Sequence, residues 1–300
     1  MNLLQALLLL ALSAIWGSSF MFMRYLSPIV GPVLTADMRM LIAGIFLLVF
    51  FAATGFRLGW RRNWRRFIVI GLVNSGLPFL LFSFAALYVP ASVESVLNAL
   101  SPLFGAIFSA IWLSEALTAR KIAGLVIGAS GVAAITSFGS LPASPMLLPA
   151  ILACVLATAC YGLCGVYIKK RAADLAPRAM AAGSQFAAGI VMLPLAAAFP
   201  LKHAPGPAVL SALVVFALLC SAVAYLIYYK LLSELGPTKA LTVTFLIPVF
   251  GMLWGSMILA ERISLAMIGG AALVLAGTGL IALKGGPKAP AQGGDDRVIR

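Results

Sequence analysis

Side chains capable of acid–base chemistry are scarce in this chain. Its 300 residues include 8 Asp and Glu, one histidine and four cysteines. Asp37 and Glu94 lie near the ends of apolar segments, Glu115 and Glu261 lie at segment ends, and His203 lies in a connector. No spacing matches a metal site, and no catalytic pair converges within an apolar segment. The sequence therefore predicts a protein that is not an enzyme and needs no metal or other cofactor.

Polar uncharged and aromatic side chains in the middle of apolar segments are better candidates, and the chemistry they support is binding. A buried amide must line water or hydrogen-bond a partner, whereas a single Ser or Thr usually makes an interhelical hydrogen bond. Such donors among aromatic walls suit a polar or zwitterionic solute with an apolar body. With no Lys or Arg expected at that depth, phosphorylated anions are disfavoured. The predicted substrate-binding residues are Trp16, Asn74, Phe79, Ser83, Asn98, Ser101, Tyr161, Gln185, Tyr225, Tyr229, Thr244 and Trp254.

Prolines 102 and 248 are predicted to break two helices at equivalent depths. A proline removes one backbone hydrogen bond, so Pro102 should leave the carbonyl of Asn98 free for a cavity or for another donor. Both prolines are therefore candidate gating positions.

Composition places these residues in a membrane. The chain is 63% hydrophobic and only 10% charged, with a mean hydropathy of +1.09. A soluble protein of this size could not bury that much apolar surface. The net charge of +13 could suggest a nucleic-acid partner, but the basic residues lie in short loops between apolar runs, where they set membrane topology. We expect a lipid bilayer as partner, and no nucleic acid.

Ten apolar runs have about the 20 residues that a spanning helix needs. They are Leu3–Met23, Val33–Ala53, Phe67–Leu87, Ala91–Ser114, Arg120–Ser137, Leu147–Ile168, Ala179–Phe199, Pro207–Leu232, Lys239–Ala260 and Leu265–Leu283. With both termini on one side, that side receives 17 of the 21 basic residues. The positive-inside rule makes it the cytoplasmic side of a plasma membrane of bacterial inner-membrane type. The tail, residues 285–300, is expected to be disordered and cytoplasmic.

The two halves of the chain are related by duplication. Pro102 to Glu115 recurs 146 positions later as Pro248 to Glu261, and 9 of 34 paired positions at this offset are identical. Residues 1–140 and 141–284 are therefore predicted to be two five-helix repeats. Because five is odd, the second repeat enters the membrane from the opposite side, which is the inverted architecture of many secondary transporters. The fold class is thus an all-α membrane protein of ten helices. Separately, a monomer or weak dimer is expected.

Several of these motifs have a familiar arrangement. Trp16-Gly17-Ser18-Ser19-Phe20 in the first helix, the proline-centred fourth helix ending at Glu115, and Gly124 and Gly131 in the fifth resemble EamA-type members of the drug/metabolite transporter superfamily. The resemblance is greatest to amino-acid and metabolite exporters of the YddG type. It implies a central cavity lined mainly by helices 3, 4, 8 and 9, with helices 1 and 6 taking part. The second half departs from the pattern, with Tyr161-Gly162 in place of Trp-Gly.

The function predicted from these observations is export of small metabolites, most of all amino acids, by alternating access. Drugs, nucleosides or sugars are alternative substrates, and an intramembrane enzyme or a receptor is the alternative from another class. Arg39 and Glu94 form an outer ion pair in one hypothesis; in the other, each extends separately to the interface. Without a carboxylate at mid-depth, facilitated movement is favoured, and proton coupling through Glu94 is the alternative.

Overall fold

The structure is a helical bundle with no strand in the part of the chain that it describes. This computed structural model describes residues 2–138, 141, 144–201, 203–240 and 242–282, without the side chains at 138, 229 and 236–239. Within these ranges, nine helices are long and apolar enough to cross a membrane, and a shorter apolar helix, Val243–Leu259, is the tenth. The predicted fold class is confirmed. The predicted disordered tail lies outside the described residues.

The helices are numbered here in chain order. They are α1 Leu3–Val30, α2 Pro32–Ala53, α3 Trp60–Ala85, α4 Ala91–Leu113, α5 Ala119–Phe138, α6 Leu147–Arg171, α7 Pro177–Ala198, α8 Pro207–Leu235, α9 Val243–Leu259 and α10 Leu265–Ala282. Helices α2, α7 and α8 begin at a proline, whose missing N–H costs nothing in a first turn. The α8 helix continues beyond its membrane span to Ala240.

Three helices extend well beyond the sequence prediction, and one of them is α8, which reaches Ala240 rather than Leu232. Helix α1 passes through Pro28 to Val30 instead of ending at Met23, because one proline removes a single hydrogen bond that a packed membrane helix tolerates. Helix α3 begins at Trp60 rather than Phe67. Trp60 and Trp64 are partly exposed on this arginine-rich first part of α3, where they act as interfacial anchors.

Contacts between glycines show how the two repeats are related. A Cβ added to Gly124 of α5 would lie 2.6 Å from the carbonyl oxygen of Gly277 of α10, and one added to Gly131 would lie 2.6 Å from that of Gly270. Gly124 and Gly270 are repeat equivalents, as are Gly131 and Gly277. A contact repeated with its two partners exchanged is the signature of a two-fold axis. Going from the first contact to the second, the residue number rises in α5 and falls in α10. The two helices are therefore antiparallel, and the repeats are inverted.

The same exchange holds between α2 and α7. A Cβ on Gly44 would lie 2.6 Å from the backbone of Phe186, and one on Gly189 would lie 3.0 Å from the Cα of Leu41. Gly44 is equivalent to Gly189, and Leu41 to Phe186, at an offset of 145. Glycine allows the helices to approach closely at six positions, which are Gly124 and Gly131 of α5, Gly270 and Gly277 of α10, Gly44 of α2 and Gly189 of α7. The division of the chain at residues 140 and 141 stays a prediction.

Helices α3 and α8 share a local irregularity that the sequence analysis did not predict. Each contains a wider π-helical turn, Leu72–Gly76 in α3 and Leu218–Val223 in α8. Leu72 and Leu218 are repeat equivalents, so the irregularity belongs to the duplicated unit. Such turns often occur at functional sites because they re-aim neighbouring side chains. Asn74 and its equivalent Cys220 both face one central cavity.

Candidate functional site

A central cavity of about 480 Å³ lies between seven helices. The side chains on its wall come from α1, α3, α4, α6, α8 and α9, the six helices that the family resemblance implied, and also from α2. Trp16 packs against Tyr225 and Tyr228, with ring centroids 6.4 and 5.5 Å apart, and these three residues form an aromatic wall. The cavity is therefore mainly apolar with a few placed polar groups, as is typical of small-molecule sites.

Most of the predicted binding residues meet at this cavity. Its lining includes Trp16, Asn74, Phe79, Asn98, Ser101, Tyr161, Tyr225 and Thr244, together with the candidate gating residue Pro102. Ser83, Gln185 and Trp254 do not line it, and the side chain of Tyr229 lies outside the described part of the chain. The geometry supports binding roles for the eight residues that line the cavity, which stay a proposal.

The three predicted residues away from the cavity have packing roles. Gln185 is fully buried and donates hydrogen bonds to Ser75 Oγ at 3.1 Å and to Tyr225 Oη at 3.3 Å, so it holds the position of a cavity residue. Trp254 Nε1 donates to the carbonyl of Ala14 at 2.9 Å and joins α9 to α1. Ser83 is buried without a hydrogen-bond partner among the described residues. Depth along a helix was predictable for each of them, but the direction of the side chain was not.

The break in α4 occurs at the predicted place. The helix consists of Ala91–Asn98 and Ser101–Leu113, and Pro102 lies in the first turn of the second piece. Ser101 Oγ donates to the carbonyl of Asn98 at 2.7 Å, which is the alternative donor that the sequence allowed. In contrast, α9 continues through Pro248, which is buried in it. The prediction of a second break at Pro248 is wrong, because a proline that packs well can stay inside a membrane helix.

Arg39 corrects two predictions. It is only 4% exposed, and its guanidinium donates from Nε to Ser221 Oγ at 2.9 Å and from Nη2 to Ser19 Oγ at 3.4 Å. No ion pair with Glu94 forms in the described chain, so the predicted outer pair is wrong. The expectation that no cation lies at cavity depth is also wrong, since Arg39 lines the cavity and Lys169 lines its mouth.

The sequence carried one signal that would have identified Arg39. An arginine inside a spanning segment is costly, so it normally faces an interior cavity. Arg39 is the eighth residue of α2, about two turns from the helix start, which is too far for it to count as a loop residue. Lys169 carried no such signal, because basic residues at a helix end are explained by topology.

Two carboxylates are buried near the end of the bundle opposite Lys169. The oxygens of Asp37 and Glu94 have no hydrogen-bond partner among the described residues, and both side chains are fully buried. The charged or titratable groups that act electrostatically on Glu94 are Arg24 of α1, Cys154 of α6 and Glu261, which follows α9. An ionised carboxylate in such surroundings needs a partner or water.

This opposite end of the cavity is closed. The carboxylate of Glu261 accepts hydrogen bonds from the backbone N–H of Ala91 at 2.7 Å, from that of Ser92 at 3.0 Å, and from Ser92 Oγ. It thereby caps the start of α4, where a negative charge is favoured by the helix dipole. One turn further, Ser95 covers Gly251 of α9 so tightly that no Cβ would fit there.

The other end, here called the basic end, is open. Ser109, Gly165 and Lys169 line the cavity there, and the side chain of Lys169 is 65% exposed. Lys169 Nζ donates to Glu115 at 2.7 Å and holds the pKa of Glu115 below its ordinary value. Glu115 is the repeat equivalent of Glu261. The two equivalent glutamates therefore have different partners: Glu261 caps a helix at the closed end, and Glu115 binds a lysine at the open end.

Comparison with known proteins decides the family. The EamA-like transporter family matches residues 3–137 and again residues 148–283. The chain belongs to the EamA-like transporter family. Each match covers one set of five helices, in agreement with the duplication. The protein is therefore a multi-pass membrane transporter.

Named relatives are similar along most of their length. An "Uncharacterized transporter YvbV" of Bacillus subtilis is 26% identical over 93% of this chain and 92% of its own. "Protein PecM" of Dickeya dadantii is 27% identical over 87% and 86%, respectively. An "Uncharacterized inner membrane transporter YedA" of Escherichia coli K12 is 28% identical over 85% and 83%. A solved crystal structure with a TM-score of 0.66 and 19% identity covers 93% of this chain and 96% of its own, which supports the fold alone.

Proposed function

We propose that this protein exports small metabolites, amino acids above all, by alternating access through the central cavity. The observation that carries the proposal is the different packing around two repeat-equivalent glycines. Gly251 is covered by Ser95 at the closed end, whereas its equivalent Gly105 has only the Cα of Gly162, 4.0 Å away, and faces the cavity. Two inverted repeats in one bundle thus adopt different conformations. Exchange of these conformations between the repeats would close one end and open the other.

The basic end is proposed to face the cytoplasm. The excess of Lys and Arg in the connectors on that side supports this orientation, which puts both termini in the cytoplasm. A relative named as an inner membrane transporter supports location in a bacterial inner membrane. The cavity as observed would then take its solute from the cytoplasm, which suits an exporter, and the chain would act as a monomer or weak dimer.

The cavity supports a solute of amino-acid size. A volume of about 480 Å³ is at the small end of ligand sites, for which roughly 300–1,000 Å³ is usual. The aromatic wall of Trp16, Tyr225 and Tyr228 suits an apolar or aromatic side chain. Asn74 and Asn98 place amide groups on the same cavity, where they can bind the polar end of a solute.

Proteoliposomes loaded with amino acids, nucleosides or sugars provide the test. We expect flux for amino acids, and we expect Asn98→Ala and Tyr225→Ala to lower it severalfold without loss of the folded protein. Ser83→Ala is the matched control, because Ser83 is buried in α3 away from the cavity. Absence of solute-specific flux across the whole panel would exclude a carrier. Wild-type rates in both cavity variants would show that solute passes elsewhere.

A further inference from the structure

Arg39 is a buried cation whose neighbours in the described chain are all uncharged. Besides its bonds to Ser221 and Ser19, its Nη2 donates to the carbonyl of Cys220 at 3.3 Å. The guanidinium carbon lies 3.8 Å from the ring centroid of Phe79 and 4.7 Å from that of Phe216. These contacts orient the guanidinium and partly stabilise its charge. None of them supplies the negative charge that a buried cation requires.

The described lining of the cavity contains no carboxylate that could supply it. Among the described residues that line the cavity, the charged side chains are Arg39 and Lys169, both cationic. Asp37 lies two positions from Arg39 on α2, a spacing that places the two side chains on different faces of the helix. Glu94 forms no hydrogen bond with Arg39. The transport cavity is therefore positively charged, with its fixed cation held deep inside by α2 and α8.

One nitrogen of the guanidinium, Nη1, is available to a ligand. Nε and Nη2 have partners, but Nη1 has no hydrogen-bond partner in the described chain, and the residue lines the cavity. The two Nη2 contacts measure 3.3 and 3.4 Å, which is long for a charged donor. Nη1 can thus donate to one oxygen of a planar carboxylate, and Nη2 can donate to the other when that oxygen replaces one of these long contacts. This paired arrangement is the one for which arginine is best suited.

We infer that Arg39 binds the carboxylate of the transported solute, and that the solute class is small carboxylates with an apolar or aromatic body. This inference rests on the proposed function and specifies its substrate. The aromatic wall formed by Trp16, Tyr225 and Tyr228 receives the body of the solute. An α-ammonium group finds only neutral acceptors such as the amides of Asn74 and Asn98, so it is tolerated but not required. A carboxylic acid without an amino group should bind as well as the matching amino acid.

Three probes with the same phenyl ring separate the charged groups: L-phenylalanine, 3-phenylpropanoate and 2-phenylethylamine. Purified protein is titrated with each probe, and its thermal unfolding is followed. We expect both carboxylates to raise the melting temperature and the amine to have no effect. Stabilisation by the amine that equals stabilisation by the two acids would overturn the inference, whatever the behaviour of any variant.

Substitution of Arg39 assigns the effect to this residue. Arg39→Gln should weaken binding of both acids by about 10- to 100-fold, as expected for loss of a charged hydrogen-bond pair, and Arg39→Lys should restore part of it. Arg66→Gln is the matched control, because Arg66 is an exposed arginine paired with Asp174 at 2.9 Å on the surface. Wild-type affinity in Arg39→Gln would overturn the inference. If Arg39→Gln does not fold, the same affinities are measured on Arg39→Lys. A lysine cannot donate two parallel hydrogen bonds as a guanidinium does, so unchanged affinity in Arg39→Lys would also overturn the inference.

Failure of this inference is distinguishable from failure of the proposed function. If none of the three probes binds but a nucleoside or sugar moves across proteoliposomes, the carrier stands and the carboxylate site is refuted. If no solute of any class moves, the carrier itself is refuted.

Discussion

Gly251→Ala and Gly105→Ala each add one methyl group at repeat-equivalent positions. The two substitutions should have opposite effects on which end of the cavity is open. At Gly251 the new Cβ would meet the Cβ and Oγ of Ser95. Ser95 is fully buried and its hydroxyl donates to the carbonyl of Ser92 at 2.7 Å, so it cannot turn away without loss of that bond. The start of α4 must therefore move back from α9, which opens the closed end. Overpacking of this kind costs about 1–3 kcal/mol.

That cost applies to one conformation only. The gain of roughly 1 kcal/mol when alanine replaces a helical glycine is present in both conformations and cancels. A free-energy difference of about 1–3 kcal/mol changes the ratio of the two conformations by about 5- to 150-fold. At Gly105 the nearest atom to an added Cβ is 4.0 Å away, an ordinary contact. Gly105→Ala should thus leave the observed conformation intact and hinder closure of the basic end.

Pulsed electron paramagnetic resonance between spin labels measures the two conformations. Labels at Leu87 and Arg262 report on the closed end, and labels at the repeat-equivalent Ser233 and Ala116 report on the basic end, in a background without the native cysteines. We expect Gly251→Ala to lengthen the first distance in part of the population and to shorten the second. Gly105→Ala should leave the first distance as in the wild type and remove any short component of the second.

Thermal unfolding of both glycine variants provides the control for folding. If both variants move the populations in the same direction, or if Gly251→Ala moves neither distance, the exchange of conformations between repeats is refuted.

Two further predictions concern the carboxylates of the closed end. Glu261→Gln should weaken the cap on α4, because a carboxylate that accepts three hydrogen bonds becomes a neutral amide. The open population measured at the Leu87–Arg262 pair should rise by about tenfold. An unchanged distance distribution would exclude Glu261 from the gate. If transport is coupled to protons, Glu94→Gln should remove the dependence of flux on an imposed pH gradient, because opening of this end would give the buried Glu94 carboxylate access to water and protons. Retention of that dependence would exclude Glu94 from coupling.

Much of the architecture followed from pattern alone. Hydrophobic runs, basic connectors and the echo of Pro102–Glu115 in Pro248–Glu261 predicted ten helices in two inverted repeats, since lipid forces every spanning segment to satisfy its own backbone. Helix boundaries were least accurate where a proline or an arginine-rich turn stayed helical, as at Pro28 and Trp60. The local chemistry of Ser101 and Pro102 also predicted the break in α4, because its cause lies within one turn.

Side-chain direction was the part that the sequence did not determine. Asn98 and Gln185 are both amides inside spanning segments, yet Asn98 lines the cavity and Gln185 is buried against Ser75 and Tyr225. Which of the two faces the cavity depends on the rotation of each helix about its axis. That rotation is set by contacts with neighbouring helices, not by local sequence.

The sequence by itself determined that this protein is a duplicated membrane transporter with few ionisable groups inside the membrane. Only the tertiary structure decided which groups surround one of them, Arg39, with no counter-ion among the described residues, and that Glu115 and Glu261 have different partners. The physical reason is that a charge in lipid must be satisfied by groups far away in the chain. Ser19, Phe79 and Ser221 come together around Arg39 only when the helices pack.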